Sequence, residues 1–241
     1  MPKIPKKPSD IFQEITDNYK NIFEDDLISI ILYGSGAKGE YQYKISDINF
    51  IIILTENGID NLQKCLPLIP KWQRRNVSTP LFLTEKYINS SLDTFPIEFL
   101  NMNMNYQLVY GEDLLAAIEI EEEDLRLQCE RELRGKLLHL REEFLNSARY
   151  PRQLKTLISQ SISAFTSIFT ILLKLANVDL PTKREDIFKK TAEIFNLNYS
   201  IFEVLLQIRD KKKKISKQQL HTLIEQYIRE IKKLTQAVDK L

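Results

Sequence analysis

Two short segments carry the residue types that phosphate chemistry uses. Gly34-Ser35 closes an apolar run, and after a spacer of eleven residues Asp47-Ile48-Asn49 opens another. A glycine lets the backbone come close to a ligand, and the amides and hydroxyl around Ser35 suit phosphate oxygens. Alternate residues of a strand point to one face, so Asp47 and Asn49 are expected to project together. Oxygen donors so placed suit magnesium, which shares its coordination with substrate phosphates. Glu98 is a further acid, set among apolar residues. Read as a strand over residues 95–102, the segment puts Phe95, Ile97 and Phe99 on one face and Glu98 on the other. An acid among apolar neighbours calls for a partner or a metal. Lys38, just past the turn, is placed to steer a triphosphate. The plain alternatives are a tight turn for Gly34-Ser35-Gly36, a turn cap for Asp47 and a solvated lysine for Lys44.

These residues need a scaffold, and the apolar pattern supplies one. Ser9 or Asp10 can cap a first helix in which Phe12, Ile15, Tyr19 and Ile22 recur at helical spacing. Residues 27–33 and 48–54 are compact β-branched runs and read as buried strands. A short helix bounded by prolines is expected near residues 62–71, a third strand over 80–84 and a fourth over 95–102. Beyond Asp113 the period changes. Residues 125–145 and 154–175 read as long amphipathic helices, the second stopped by Pro181. Shorter helices are expected near 183–195 and 200–210, and a last one near 216–239. No glycine follows Gly135, which suits a helical region. The expected fold class is α+β: a mixed sheet with flanking helices over residues 1–115, then an α-helical bundle over residues 116–241.

Composition narrows the partners. The 241 residues carry 34 Lys and Arg against 33 Asp and Glu, for a net charge of +1. No global attraction to nucleic acid or to an anionic membrane follows from that balance. Two cysteines far apart and two histidines argue against a disulfide framework and against a zinc site with several histidine ligands. The basic, proline-rich start is not followed by an apolar segment, so it does not read as a signal peptide. The most apolar stretch, residues 162–176, is short and interrupted by Ser, Thr and Lys174. A cytoplasmic protein is expected.

The order of the pieces resembles the DNA polymerase β-like nucleotidyltransferase superfamily: an apolar residue, Gly34, Ser35, a spacer, Asp47, an apolar residue, and a second acid position filled here by Asn49. Further segments look like a bacterial and archaeal group of such proteins that join the catalytic domain to a C-terminal helical domain. They are Pro80-Leu81-Phe82-Leu83-Thr84, Ser91-Leu92-Asp93 with Phe95-Pro96-Ile97-Glu98-Phe99, Tyr110-Gly111-Glu112-Asp113, and the arginine-rich helix of residues 125–145. The likeness covers roughly the first 145 residues.

The resemblance implies a nucleotidyltransferase fold over residues 1–115 and a nucleoside triphosphate, ATP among them, bound with Mg2+. It implies catalytic positions at Asp47, Asn49 and Glu98, metal ligation by Asp47 and Glu98, and phosphate contacts by Gly34, Ser35 and Lys38. In that chemistry two divalent ions about 3.5–4 Å apart clamp the attacking and leaving oxygens. Asn49 removes a negative charge from between them, and losing one preorganised electrostatic group lowers rates by about a hundred- to a thousandfold. The expectation is therefore nucleotide binding with weak or lost transfer. Asp93 and Glu40 are the acids available to compensate. The alternative is a non-catalytic binding or regulatory module, antitoxin-like, that holds a protein partner or a second copy through its helical half.

Three smaller features have two readings each. Arg134 and His139 match the spacing of a helical ribonuclease motif, but they lie about 500° apart along a helix, so they do not share a face. Arg209, Lys211 to Lys214 and Lys217 form a basic run that suits either nucleic-acid phosphates or an ordinary helix C-terminus. Trp72, with Arg74 and Arg75 beside it, lines a cleft or packs on the sheet.

Overall fold

A computed structural model describes residues 3–147, 150–213 and 215–241. The chain divides into two compact units, Met1–Ile120 and Glu121–Leu241. The first opens with a 3-10 turn, Pro8–Ile11, that feeds helix α1 (Phe12–Phe23). Asp10 acts inside that turn: its carboxylate accepts the Lys6 and Lys7 amides at 3.0 and 3.1 Å. The β-branched runs form strand β1 (Leu27–Tyr33) and strand β2 (Asn49–Leu54), paired antiparallel with Tyr33 opposite Asn49.

Helix α2 (Glu56–Asp60) follows, its first turn capped by the Thr55 hydroxyl, which accepts the Gly58 amide at 3.1 Å. The single helix expected near residues 62–71 is two pieces, a 3-10 turn Leu62–Cys65 and helix α3 (Leu68–Gln73). Pro67 between them has no amide to carry one helix through. Strand β3 (Leu81–Leu83) runs parallel to β2, and helix α4 (Glu85–Ser91) starts at the Thr84 cap.

The strand expected over residues 95–102 is instead helix α5 (Pro96–Met104). Pro96 takes the first helical position, where its fixed φ and missing amide cost nothing, and Glu98 sits in the first turn, where a negative charge is favoured. The fourth strand comes later, as β4 (Tyr106–Gly111), antiparallel to the other edge of β1. The sheet order is β3-β2-β1-β4.

The sheet is covered on both sides. Ile30, Leu32, Ile48, Phe50, Ile52 and Leu54 form one buried cluster with Ile15, Tyr19 and Phe23 of α1. Ile31, Ile51 and Ile53 form another with Ile88 of α4, Phe99 of α5 and Leu115. Gly111 closes β4 at φ +81, where an added Cβ would lie 1.9 Å from the Ile28 carbonyl oxygen, so the close β1–β4 approach requires glycine.

The second unit is helical: α6 (Glu122–Ser147), α7 (Pro151–Leu175), α8 (Arg184–Ile194), α9 (Tyr199–Arg209) and α10 (Lys217–Val238). Helix α7 packs against the other four. Its side chains Phe165 and Phe169 join Phe188, Phe202 and Tyr227 in an aromatic core with ring centroids 4.7 to 6.0 Å apart. By length and composition α7 is apolar enough to cross a membrane, and half of its apolar window is buried inside the chain. It ends ahead of Pro181, with Asn177 turning the chain at φ 54. Glu230 of α10, 4% exposed, accepts the Asn198 amide at 2.8 Å and the Lys233 ammonium at 2.7 Å, so its buried charge is paired while it anchors the start of α9.

Candidate functional site

The end of β1 and the start of β2 build one polar corner. Gly34 leaves β1 at φ +71 and begins the 3-10 turn Gly34–Gly36. A Cβ added at Gly34 would stand 3.4 Å from the side-chain nitrogen of Asn49, so the turn and the Asn49 amide are immediate neighbours. The Gly34 carbonyl accepts the Ala37 and Lys38 amides at 3.1 Å each, and the Ser35 carbonyl accepts the Glu40 amide at 3.0 Å. Those bonds fold the turn on itself and commit three amides to it. Ser35, half-buried, is the polar side chain of the turn.

Ile48 is pinned beside the corner. Its amide donates to the Asn76 carbonyl at 2.8 Å, its carbonyl accepts the Ser78 amide at 3.0 Å, and its side chain is fully buried. By alternation Asp47 and Asn49, flanking it, turn to the opposite face. Asp47 is exposed and Asn49 half-buried. This is the face of Ile51 and Ile53, on which α5 packs through Phe99. Glu98 therefore belongs to an element on the same side of the sheet as Asp47, but it stands in the first turn of a helix, on that helix's exposed side, rather than in a strand. Among the described residues no group of three or more His, Cys, Asp or Glu side chains is placed to hold a metal ion.

Two tyrosines join the corner that the sequence reading did not single out. Tyr33 pairs with Asn49 on one side and with Tyr106 of β4 on the other, giving the cross-strand row Asn49–Tyr33–Tyr106. Burial pushes the Tyr33 hydroxyl above the usual tyrosine range. Burial does the same to Tyr106, helped by the bond its hydroxyl donates to Asp113 Oδ2 at 2.9 Å. The position of Tyr33 next to Gly34 was a usable signal. Tyr106 was not legible, because its strand was expected elsewhere.

The remaining candidates lie at the rim of the corner, away from it, or in structural roles. Lys38 is exposed in the turn after Gly36. Lys44, at φ 65, lies over the Tyr43 ring at 5.3 Å. Glu40 is exposed, and Asp93 accepts the Thr94 hydroxyl at 3.0 Å. Trp72 is 1% exposed in the α1-side cluster, with the Arg75 guanidinium 4.9 Å from its ring, so it packs on the sheet. In the helical unit Arg134 is held by Glu130 at 2.6 Å and Asp239 at 3.3 Å, and His139 lies 4.0 Å from Glu142. Arg209 and Lys212 both pair with Asp210 at the end of α9, and Lys211 turns the chain at φ 59. That is the arrangement of a helix C-terminus; Lys214 of that run lies outside the described residues.

The chain matches no protein-family model and no curated protein sequence. Among solved structures it is similar to the spectinomycin adenyltransferase AAD(9) from Enterococcus faecialis, a crystal structure with ATP and spectinomycin. The TM-score is 0.53 at 13% identity, over 93% of this chain and 99% of that one. The likeness fixes the fold: a nucleotidyltransferase-like α+β fold with a C-terminal helical region.

Proposed function

We propose that the first unit binds a nucleoside triphosphate at the Gly34–Asn49 corner and that its transfer activity is weak or lost. The carrying observation is the left-handed Gly34 turn set directly against the Asn49 side chain, with Asp47 on the same face. Support comes from the fold likeness to an adenyltransferase crystallised with ATP. In this reading Gly34 and Ser35 hold phosphate oxygens and Lys38 supplies charge from the rim. The oxygen donors of Asp47 and Asn49 suit one Mg2+ arriving with the triphosphate. They do not suit a pair of ions, because the position between the two holds a neutral amide. Glu98 adds a carboxylate from α5 on the same side.

The second reading is a regulatory or antitoxin-like module that works through its helical unit. It is favoured by the lack of a converging set of acids among the described residues.

Calorimetric titration with ATP, GTP, CTP and UTP, with and without magnesium, separates the two. Binding is expected, strengthened by magnesium, and Asn49→Asp is expected to strengthen the magnesium effect further. Absence of binding under every condition, in both the native chain and N49D, would remove the nucleotide reading and leave the regulatory one.

A further inference from the structure

Within the second unit, helices α6 and α10 enclose an open groove of about 300 Å3. Arg134, Leu137, Leu138 and Arg141 line it from α6, and Lys232 and Gln236 from α10; among the described residues no acid lines it. Elsewhere α6 pairs its cations along its own length: Arg126 with Glu123 and Glu130, Arg134 with Glu130, and Lys136 with Glu132. Arg141 has no such neighbour. Three and four residues away stand Leu137, Leu138, Phe144 and Leu145. Lys232 has Ile228, Arg229, Thr235 and Gln236 at the same separations. Neither Arg141 nor Lys232 makes an ion pair among the described residues, although Arg141 is half-buried.

Two like charges that share a groove repel, and an anion seated with them relieves both. A phosphate monoester carries about −1.5 to −2 at pH 7, which matches one guanidinium and one ammonium; a monocarboxylate leaves one of them unpaired. The planar guanidinium fork suits two phosphoryl oxygens, the lysine serves as a point charge, and the Gln236 amide offers further N–H donors. The groove has room for about ten waters. A phosphate of five heavy atoms leaves space for the group it esterifies, with Leu137 and Leu138 as its wall. From these features we infer that the α6–α10 groove binds a small phosphate monoester, the phosphate held by Arg141 and Lys232 and the carbon part lying on the two leucines. The site is independent of the Gly34–Asn49 corner, which belongs to the first unit.

The same charges argue against a long polyanion. A nucleic-acid strand gains its strength from a row of free cations, one for each phosphate. The cations next along are already paired: Arg134 with Glu130 and Asp239, and Arg229 of α10 with Glu225. The groove therefore suits a single phosphate.

The test titrates phenyl phosphate against the full chain without magnesium, followed by the NMR signals of the ligand. Binding is expected with a Kd near or below about 1 mM at 0.15 M salt. Arg141→Gln and Lys232→Gln each remove a charge-assisted bond and are expected to weaken binding by about tenfold or more. Lys189→Gln removes an exposed cation of α8 outside the groove and is expected to leave the affinity unchanged. Benzoate, with a single charge, is expected to bind about tenfold more weakly than phenyl phosphate. Inorganic phosphate is expected to displace phenyl phosphate, at higher concentration because it forgoes the apolar contact. Lys232 is exposed, so K232Q probes the groove even where R141Q disturbs the fold, which circular dichroism checks. A native chain that does not bind phenyl phosphate would overturn the proposal. So would binding that survives K232Q, an equal loss in K189Q, benzoate bound as tightly, or phenyl phosphate that inorganic phosphate does not displace.

Discussion

The decisive residue is Asn49, but its neighbour Gly34 gives the cleaner experiment. A non-glycine residue in the left-handed region costs about 1–2 kcal/mol, and Gly34 is held there at φ +71. The Cβ of Gly34→Ala meets the Asn49 nitrogen at ordinary contact distance, 3.4 Å, so steric crowding adds little. For a chain of this size a loss of that order lowers Tm by roughly 2–8 °C. Gly39, at φ +76 with open space around it, is the matched control. Gly34→Ala and Gly39→Ala are expected to lose similar stability in calorimetric melts. Only Gly34→Ala is expected to lose triphosphate affinity as well, because only that side chain intrudes where the phosphate would sit. Equal affinity in the two variants would mean that the corner does not hold the nucleotide.

At the scale of elements, what was legible was what depends on neighbours along the chain. The β-branched runs at β1 and β2 permit little except a buried strand, and the leucine spacing of α6 and α7 permits little except a helix. Residues 95–102 were misread because Phe95, Ile97 and Phe99 alternate as a strand does. Ile97 and Leu100, and Phe99 and Met102, recur equally well at helical spacing, and Pro96 followed by Glu98 marks a helix start. The true fourth strand, β4, was hidden by its own composition: an edge strand with exposed Gln107 and Leu108 lacks a continuous apolar run. Contacts between distant segments, such as Tyr33 with Tyr106, leave no local pattern.

One such long-range tie is testable at this scale. Glu14 of α1 bonds Lys71 of α3 at 2.9 Å and also pairs with Arg75, and hydrogen bonds from these two cations hold its carboxyl below the usual glutamate range. A lowered folded-state pKa adds stability that is present above the unfolded value and lost as pH falls through the folded one. Glu14 is 42% exposed, so the gain is below about 1 kcal/mol. Glu14→Gln is expected to be slightly less stable than the native chain at pH 7. The two denaturation curves should converge as the pH is lowered through the glutamate range. A difference that persists unchanged at pH 3 would assign the effect to packing instead of charge.

For the whole molecule the question is which partners its charge admits. Thirty-four cations against 33 anions leave no field to gather nucleic acid from a distance. In the local alternative, the basic run after α9, Arg209 and Lys212 share the single carboxylate of Asp210, and Lys213 borders a groove with Ile215, Val204 and Leu223. Non-specific nucleic-acid binding gains its strength from displaced counterions, one for each phosphate neutralised. A run confined to one short connection, with two of its cations turned to Asp210, reaches few phosphates at once and displaces few counterions. Random-sequence single-stranded RNA is therefore expected to bind more weakly than about 100 µM at 0.15 M salt, with a log–log salt slope near −1 or flatter. Charge reversal of Lys211 and Lys212 is expected to change that little. Micromolar binding with a slope of several ions, abolished by those reversals, would make this run a nucleic-acid surface and RNA an acceptor to be tried at the Gly34–Asn49 corner. Failing that, the partner to pursue is a triphosphate at the first unit.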